Sequence, residues 1–119
     1  MKYTKHLLES FYHPEFCGTI SGAHIVSKNE NEETKDAVKF YFVMDNKTIK
    51  DVKYQACGSV VLFASLSAIC NLILNKTIEE ARLVNEKQVV IEIKQVNRCD
   101  YATVSFAIES LVKALIQAE

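Results

Sequence analysis

Proline occurs once in the 119 residues, glycine three times and tryptophan not at all. So little proline and glycine excludes a collagen-like or low-complexity chain and leaves no evident interdomain linker. Neither charge sign is in excess: 14 Lys and Arg face 15 Asp and Glu, for a formal net charge of −1. A phosphate backbone is bound by a concentrated basic surface, so no nucleic-acid partner is expected. No run is long enough to cross a bilayer, because the most apolar one, Val60 to Leu74, is interrupted by Ser65, Ser67 and Asn71. The opening "MKYTKHLLESFYHPEF" lacks the unbroken apolar segment of a signal peptide, so a cytoplasmic chain with no membrane partner is expected. No Ser-His-Asp order, nucleophile elbow or phosphate loop stands out, which argues against a hydrolase or transferase.

What is present suits one globular domain, residues 1–119, since 49% of the chain is hydrophobic and no internal repeat is visible. Leu7, Leu8, Phe11 and Tyr12 recur at helical spacing before Pro14, which predicts a short amphipathic helix over residues 3–12. "AHIVS", Ala23 to Ser27, has strand character, and the polar run Lys28 to Asp36 that follows reads as a solvated loop. Val38, Phe40, Phe42 and Met44 alternate on one face, Asp45-Asn46-Lys47 supply turn chemistry, and Ile49, Val52 and Tyr54 return as a second strand. The alternation slips on the return strand, and a bulge near Asp51 would repair it.

From Ser59 to Leu74 the chain is apolar nearly all round, which predicts a buried central helix with Ser67, Asn71 and Asn75 on its most polar edge. Thr77 and Glu80 have capping-box spacing and should open a second, short helix. "QVVIEI" fits either a strand or a helical connection. Val104, Ile108, Leu111, Val112 and Leu115 form a helical stripe, for which Asp100 is the expected N-cap. Helix, strands, then helices describe an α+β domain whose antiparallel sheet is covered on one face.

Four cysteines, Cys17, Cys57, Cys70 and Cys99, form no CxxC pair, so any metal site must be assembled from distant parts of the fold. In a reducing compartment structural disulfides are disfavoured, and metal binding or thiol chemistry gains weight. Cys57 and Cys70 bracket the central helix and would stand roughly 20 Å apart, so Cys70 is assigned to the core. Cys57 and Cys99 each precede a helix, where unpaired N–H groups and the helix dipole favour a thiolate able to attack a persulfide or bind a soft metal. Gly58 is expected to leave the space beside Cys57 open.

These segments together resemble the IscU/NifU-type iron–sulfur cluster assembly scaffolds along almost the whole chain. "LLESFYHPEFCG", with His13, Pro14 and Gly18, is similar to the family's opening helix and proline turn. "YQACGS" resembles the segment of its second cluster cysteine, at Cys57, with Ala56 in place of a glycine. "NKTIEEA" resembles a glycine-lysine-threonine helix opening, with Asn75 at the glycine, and "RCDYA" the site of the third cysteine, at Cys99. The resemblance implies a small antiparallel sheet of about three strands under helices. It also implies a non-enzymatic role: accepting sulfur from a cysteine desulfurase, assembling a [2Fe–2S] cluster with iron and passing it to apo iron–sulfur proteins, often with a chaperone. A homo-oligomer sharing a cluster is compatible with it.

The departures are specific. Where the family has cysteine-glycine-aspartate, this chain has Thr34-Lys35-Asp36, and Arg98 stands where many members have a histidine. The resemblance therefore carries over Asp36, Cys57 and Cys99 as ligands of iron or the cluster, with the first cysteine absent. His24 and Cys17 are candidates to complete the set, since imidazole and thiolate suit iron or zinc. His24 is favoured, and Cys17 is expected to pack in the core; His6 and His13 read as surface or turn residues. Two other readings stand beside the scaffold: a degenerate paralogue acting as an interaction or regulatory module of cluster assembly, and a zinc-bound sulfur acceptor resembling the SufU branch.

Overall fold

The computed structural model describes residues 15–93 and 97–118. Three antiparallel strands, β1 (Ile25–Glu30), β2 (Ala37–Asp45) and β3 (Thr48–Cys57), form one sheet in the order β1-β2-β3. The helices are α1 (Val60–Ile73), α2 (Ile78–Ala81), α3 (Glu86–Ile93) and α4 (Tyr101–Gln117), the last preceded by a 3₁₀ turn, Arg98–Asp100. α1 packs on β3 and α4 on β1 and β2, so both lie on one face of the sheet; α3 packs against both helices. This is the α+β arrangement the sequence implies. No helix among the described residues is long and apolar enough to cross a membrane. The predicted helix over residues 3–12, with His6, His13 and Pro14, lies outside the described residues.

The β2–β3 hairpin follows the sequence reading closely. Asn46 and Lys47 have φ of 50° and 70°, the left-handed pair of a two-residue type I′ turn whose twist matches the strands it joins. Asp45 pairs with Thr48 and Met44 with Ile49, but Val43 pairs with Asp51, so Lys50 is the extra residue of a bulge. That insertion puts Ile49 and Val52, both fully buried, on the same face despite their odd spacing. The turn end of the hairpin is tied to the helices: Ile49 N–H donates to Lys76 O and Ile78 N–H to Lys47 O, at 2.8 and 2.9 Å.

Ser59 caps α1, its Oγ accepting from Leu62 N–H at 3.3 Å, and Asn75 with φ 65° ends it. Thr77 and Glu80 form the expected reciprocal capping box, although α2 is only one turn long. "QVVIEI" resolves as part of helix α3. Asn85 and Gln88 exchange side chain to backbone bonds at 3.1 Å, a start signal the sequence reading missed.

One expectation is corrected. Lys28, Asn29 and Glu30 belong to β1 and not to the following loop, because β1 buries Ser27 and Asn29 beneath α4. Asn29 is satisfied there: its Nδ2 donates to Ser110 Oγ at 3.0 Å, and its Oδ1 accepts from Lys113 Nζ at 2.6 Å. Local polarity suggested solvent, and a tertiary hydrogen-bond network overrides it. Asp100 is the N-cap of α4 as expected, but its side chain makes no cap bond to that helix: its Oδ2 reaches back to accept from Asn97 N–H at 3.3 Å, within the 3₁₀ turn that precedes it.

Lys47 occupies a left-handed position that costs an L-residue about 1–2 kcal/mol. Lys47→Gly should therefore stabilise the fold by about 0.5–1 kcal/mol after the entropy cost of glycine, seen as a raised midpoint in urea unfolding.

Candidate functional site

The site is built where β3 ends. Ala37 pairs with Cys57 across the hairpin, so the loop before β2, residues 31–36, stands beside the cysteine that closes β3. That loop is braced from within by Asn31. Its Oδ1 accepts from Glu33 and Thr34 N–H at 3.0 and 3.2 Å, its carbonyl from Lys35 N–H at 2.8 Å, and its N–H donates to Asp36 O at 2.8 Å. Thr34 Oγ1 accepts from Asp36 N–H at 3.2 Å. The Thr34 hydroxyl is thus engaged by its own loop. Lys35 has φ 66°, the conformation a glycine adopts freely.

Asp36 is half-buried and turned toward α1. A Cβ placed on Gly58 would lie 2.9 Å from Asp36 Oδ1 and 2.5 Å from Leu62 Cδ2. The space beside Cys57 is therefore occupied, contrary to expectation, and a side chain at residue 58 would have to displace the ends of Asp36 and Leu62. The carboxylate also sits by the first turn of α1, where the helix dipole favours negative charge. Cys57 itself is exposed, two residues before the cap Ser59.

Cys99 is exposed within the 3₁₀ turn, its Sγ 4.0 Å from Asp100 Oδ1. His24 is not brought to the Cys57 end. Its N–H donates to Phe42 O, and its Nδ1 accepts from Met44 N–H at 2.9 Å, which puts it near the hairpin turn, roughly 20 Å from Cys57 along the sheet at about 3.3 Å per residue. Among the described residues no three His, Cys, Asp or Glu side chains are grouped closely enough to hold a metal ion.

The remaining cysteines separate sharply. Cys70 is fully buried in the core, as expected, and burial pushes its thiol well above the ordinary range. Cys17 is exposed rather than packed, because residues 16–18 run parallel to β3 as an outer edge: Tyr54 N–H donates to Phe16 O and Gly18 N–H to Tyr54 O, at 2.9 and 2.8 Å. Tyr54 is buried below it, its hydroxyl bonded to Ser67 Oγ at 3.0 Å and raised in pKa by burial.

A three-stranded antiparallel sheet thus lies under helices, with exposed cysteines at the end of β3 and before α4. The chain belongs to the family of the NifU-like N-terminal domain, whose model matches residues 2–118. It is 25% identical over 80 residues to the iron–sulfur cluster assembly scaffold protein IscU of Thermotoga maritima, a match spanning 67% of this chain and 56% of that relative. The chain thus spans little more than half the length of the curated relative. Its fold is shared with a scaffold protein assigned to the SUF system of Fervidobacterium islandicum, with a TM-score of 0.79 and 24% identity over 95% of this chain and 96% of the other. A NifU-like N-terminal protein of Brucella abortus has a TM-score of 0.70 and 15% identity over 96% and 92%.

Two outcomes follow from this burial pattern. Cys17, Cys57 and Cys99 should be alkylated by iodoacetamide in the folded protein and Cys70 only after denaturation, as counted by intact mass. Cys70 and Tyr54 have raised values in the fold, so their contribution is fully present below their unfolded pKa values, near 9.0 and 10.0, and is lost as pH rises beyond them. The melting temperature should fall between pH 8 and pH 11, and Cys70→Ala should flatten the first part of that decline.

Proposed function

We propose that the chain is a divergent cluster assembly scaffold that receives sulfur and iron at the Cys57 end of the sheet. Asp36, Cys57 and Cys99 serve there as its own ligands to iron or a [2Fe–2S] cargo. The observation that carries this reading is the pairing of Ala37 with Cys57, which sets Asp36 against Gly58 and the 31–36 loop beside an exposed thiol. An exposed cysteine suits the first step. Cys57 Sγ attacks the outer sulfur of a cysteine desulfurase persulfide, forming a persulfide on Cys57 and releasing the desulfurase cysteine as a thiolate. An external two-electron donor, such as a dithiol, then cleaves the Cys57 S–S bond to give sulfide and free the cysteine, iron joins that sulfide, and the assembled unit passes to an apo iron–sulfur protein, with a chaperone where one assists. His24 is outside this ligand set by position.

A second reading is favoured by Thr34 and by the lack of a grouped ligand triad among the described residues. In it, the chain keeps the scaffold surface as an interaction module for the desulfurase without holding a cluster. Arg98 beside Cys99 suits this reading, since a fixed cation repels metal. The zinc-bound sulfur acceptor uses the same residues with Zn²⁺ in place of iron.

Anaerobic reconstitution with ferrous iron and sulfide separates these readings. The scaffold should develop a visible absorption band that Cys57→Ser and Cys99→Ser each abolish, and Thr34→Cys should slow loss of the chromophore to a chelator. A colourless wild type whose metal content equals that of both serine variants would refute cluster holding. Zinc retained as purified and lost in the same variants would instead identify the sulfur acceptor.

A further inference from the structure

The described helices pack on one face of the sheet, and strand alternation assigns Val26, Lys28, Lys39, Tyr41, Val43 and Lys53 to the opposite face. Tyr41 is out of place there. It is only 7% exposed, yet it is no member of the core cluster to which its neighbours Phe40 and Phe42 belong. Its hydroxyl donates to Gln55 Oε1 at 2.7 Å, and Lys39 Nζ lies 5.3 Å from its ring centroid. Lys39, Val43 and Lys53 around it are half-buried as well, whereas Val26, at 42%, and Lys28 on β1 are exposed. The cover on this face therefore lies over β2 and β3 and stops short of β1. It belongs to the same chain, because Tyr41 is already buried within a single copy.

Two segments lie outside the described residues. Residues 94–96 join α3 to the 3₁₀ turn before α4, on the helical face. Residues 1–14 lead instead to the β3 side of the sheet, since residues 16–18 run beside β3 with Phe16 O accepting from Tyr54 N–H. From that edge Tyr41 is two strand spacings away, about 10 Å, which roughly three extended residues span. Pro14 biases His13 toward extended backbone. The ten residues before it carry the stripe Leu7, Leu8, Phe11 and Tyr12, and a helix of that length is roughly 15 Å long, enough to cross β3 and β2. We propose that residues 3–12 dock as a helix on this face, laying Leu7, Leu8 and Phe11 against Tyr41 and Val43. Docking also holds the 16–18 edge against Tyr54, three positions along β3 from Cys57. It stands whether or not Cys57 and Cys99 carry a cluster.

The chain has no tryptophan, so Leu8→Trp in the full chain is a single reporter. Its emission should lie to the blue of exposed tryptophan at every protein concentration. Tyr41→Ser should move it back to the red while circular dichroism still shows the folded sheet and helices. A second measurement does not rely on that variant folding. With Cys17, Cys57 and Cys99 replaced by serine, a short bismaleimide should join Phe11→Cys to Val43→Cys within one chain several-fold faster than it joins Phe11→Cys to Lys28→Cys. Emission of an exposed tryptophan in the folded protein, a blue shift that appears only as concentration rises, or equal cross-linking to positions 43 and 28 would each overturn the proposal.

Discussion

The register of the β2–β3 hairpin is the constraint on which the rest of the structure depends. It is fixed at one end by the left-handed pair Asn46-Lys47 and corrected once, at Lys50. A one-residue slip would turn Phe40, Phe42, Val52 and Tyr54 from the core to solvent. The same register sets Ala37 opposite Cys57, and so decides that the 31–36 loop stands at the head of α1. α1 then returns along the sheet to the hairpin turn, where Asn75 N–H donates to Ile49 O at 2.8 Å. Core packing and site assembly therefore rest on one hairpin geometry, and a lesion at the turn is felt at Cys57.

Much of this was legible in the sequence because the signals are local and have a fixed period. Alternation in "AVKFYFVM", the Asp45-Asn46-Lys47 turn, the slip near Asp51 and the Thr77–Glu80 box each predict the structure found. The misses have a common cause: a local property overridden by a partner far along the chain. Asn29 is polar, yet it lies buried because Ser110 and Lys113, more than 80 residues away, satisfy it. Cys17 is the type of residue that packs, yet pairing with β3 holds it at an outer edge. The filling of the space at Gly58 by Asp36 and Leu62 was likewise invisible, since it depends on which loop the sheet register delivers there.

On the proposed reading, the 31–36 loop carries threonine and lysine where the family pattern has cysteine and glycine. Lys35 keeps a left-handed φ at a cost of about 1–2 kcal/mol, offset by the hydrogen bonds that Asn31 and Thr34 make within the loop. Threonine in place of cysteine removes a group that can carry negative charge, lysine in place of glycine adds a positive one, and Arg98 adds a cation that is always charged. All three changes act in one direction, toward a more positive local field than the family's pattern would give. For the proposed site, that field disfavours a bare metal cation and favours an anionic cargo, a persulfide or a cluster already carrying sulfide. The order of loading that suits these residues is sulfur on Cys57 first and iron second: once an external two-electron donor has reduced the transferred sulfur, the resulting sulfide supplies the negative charge that Thr34 does not.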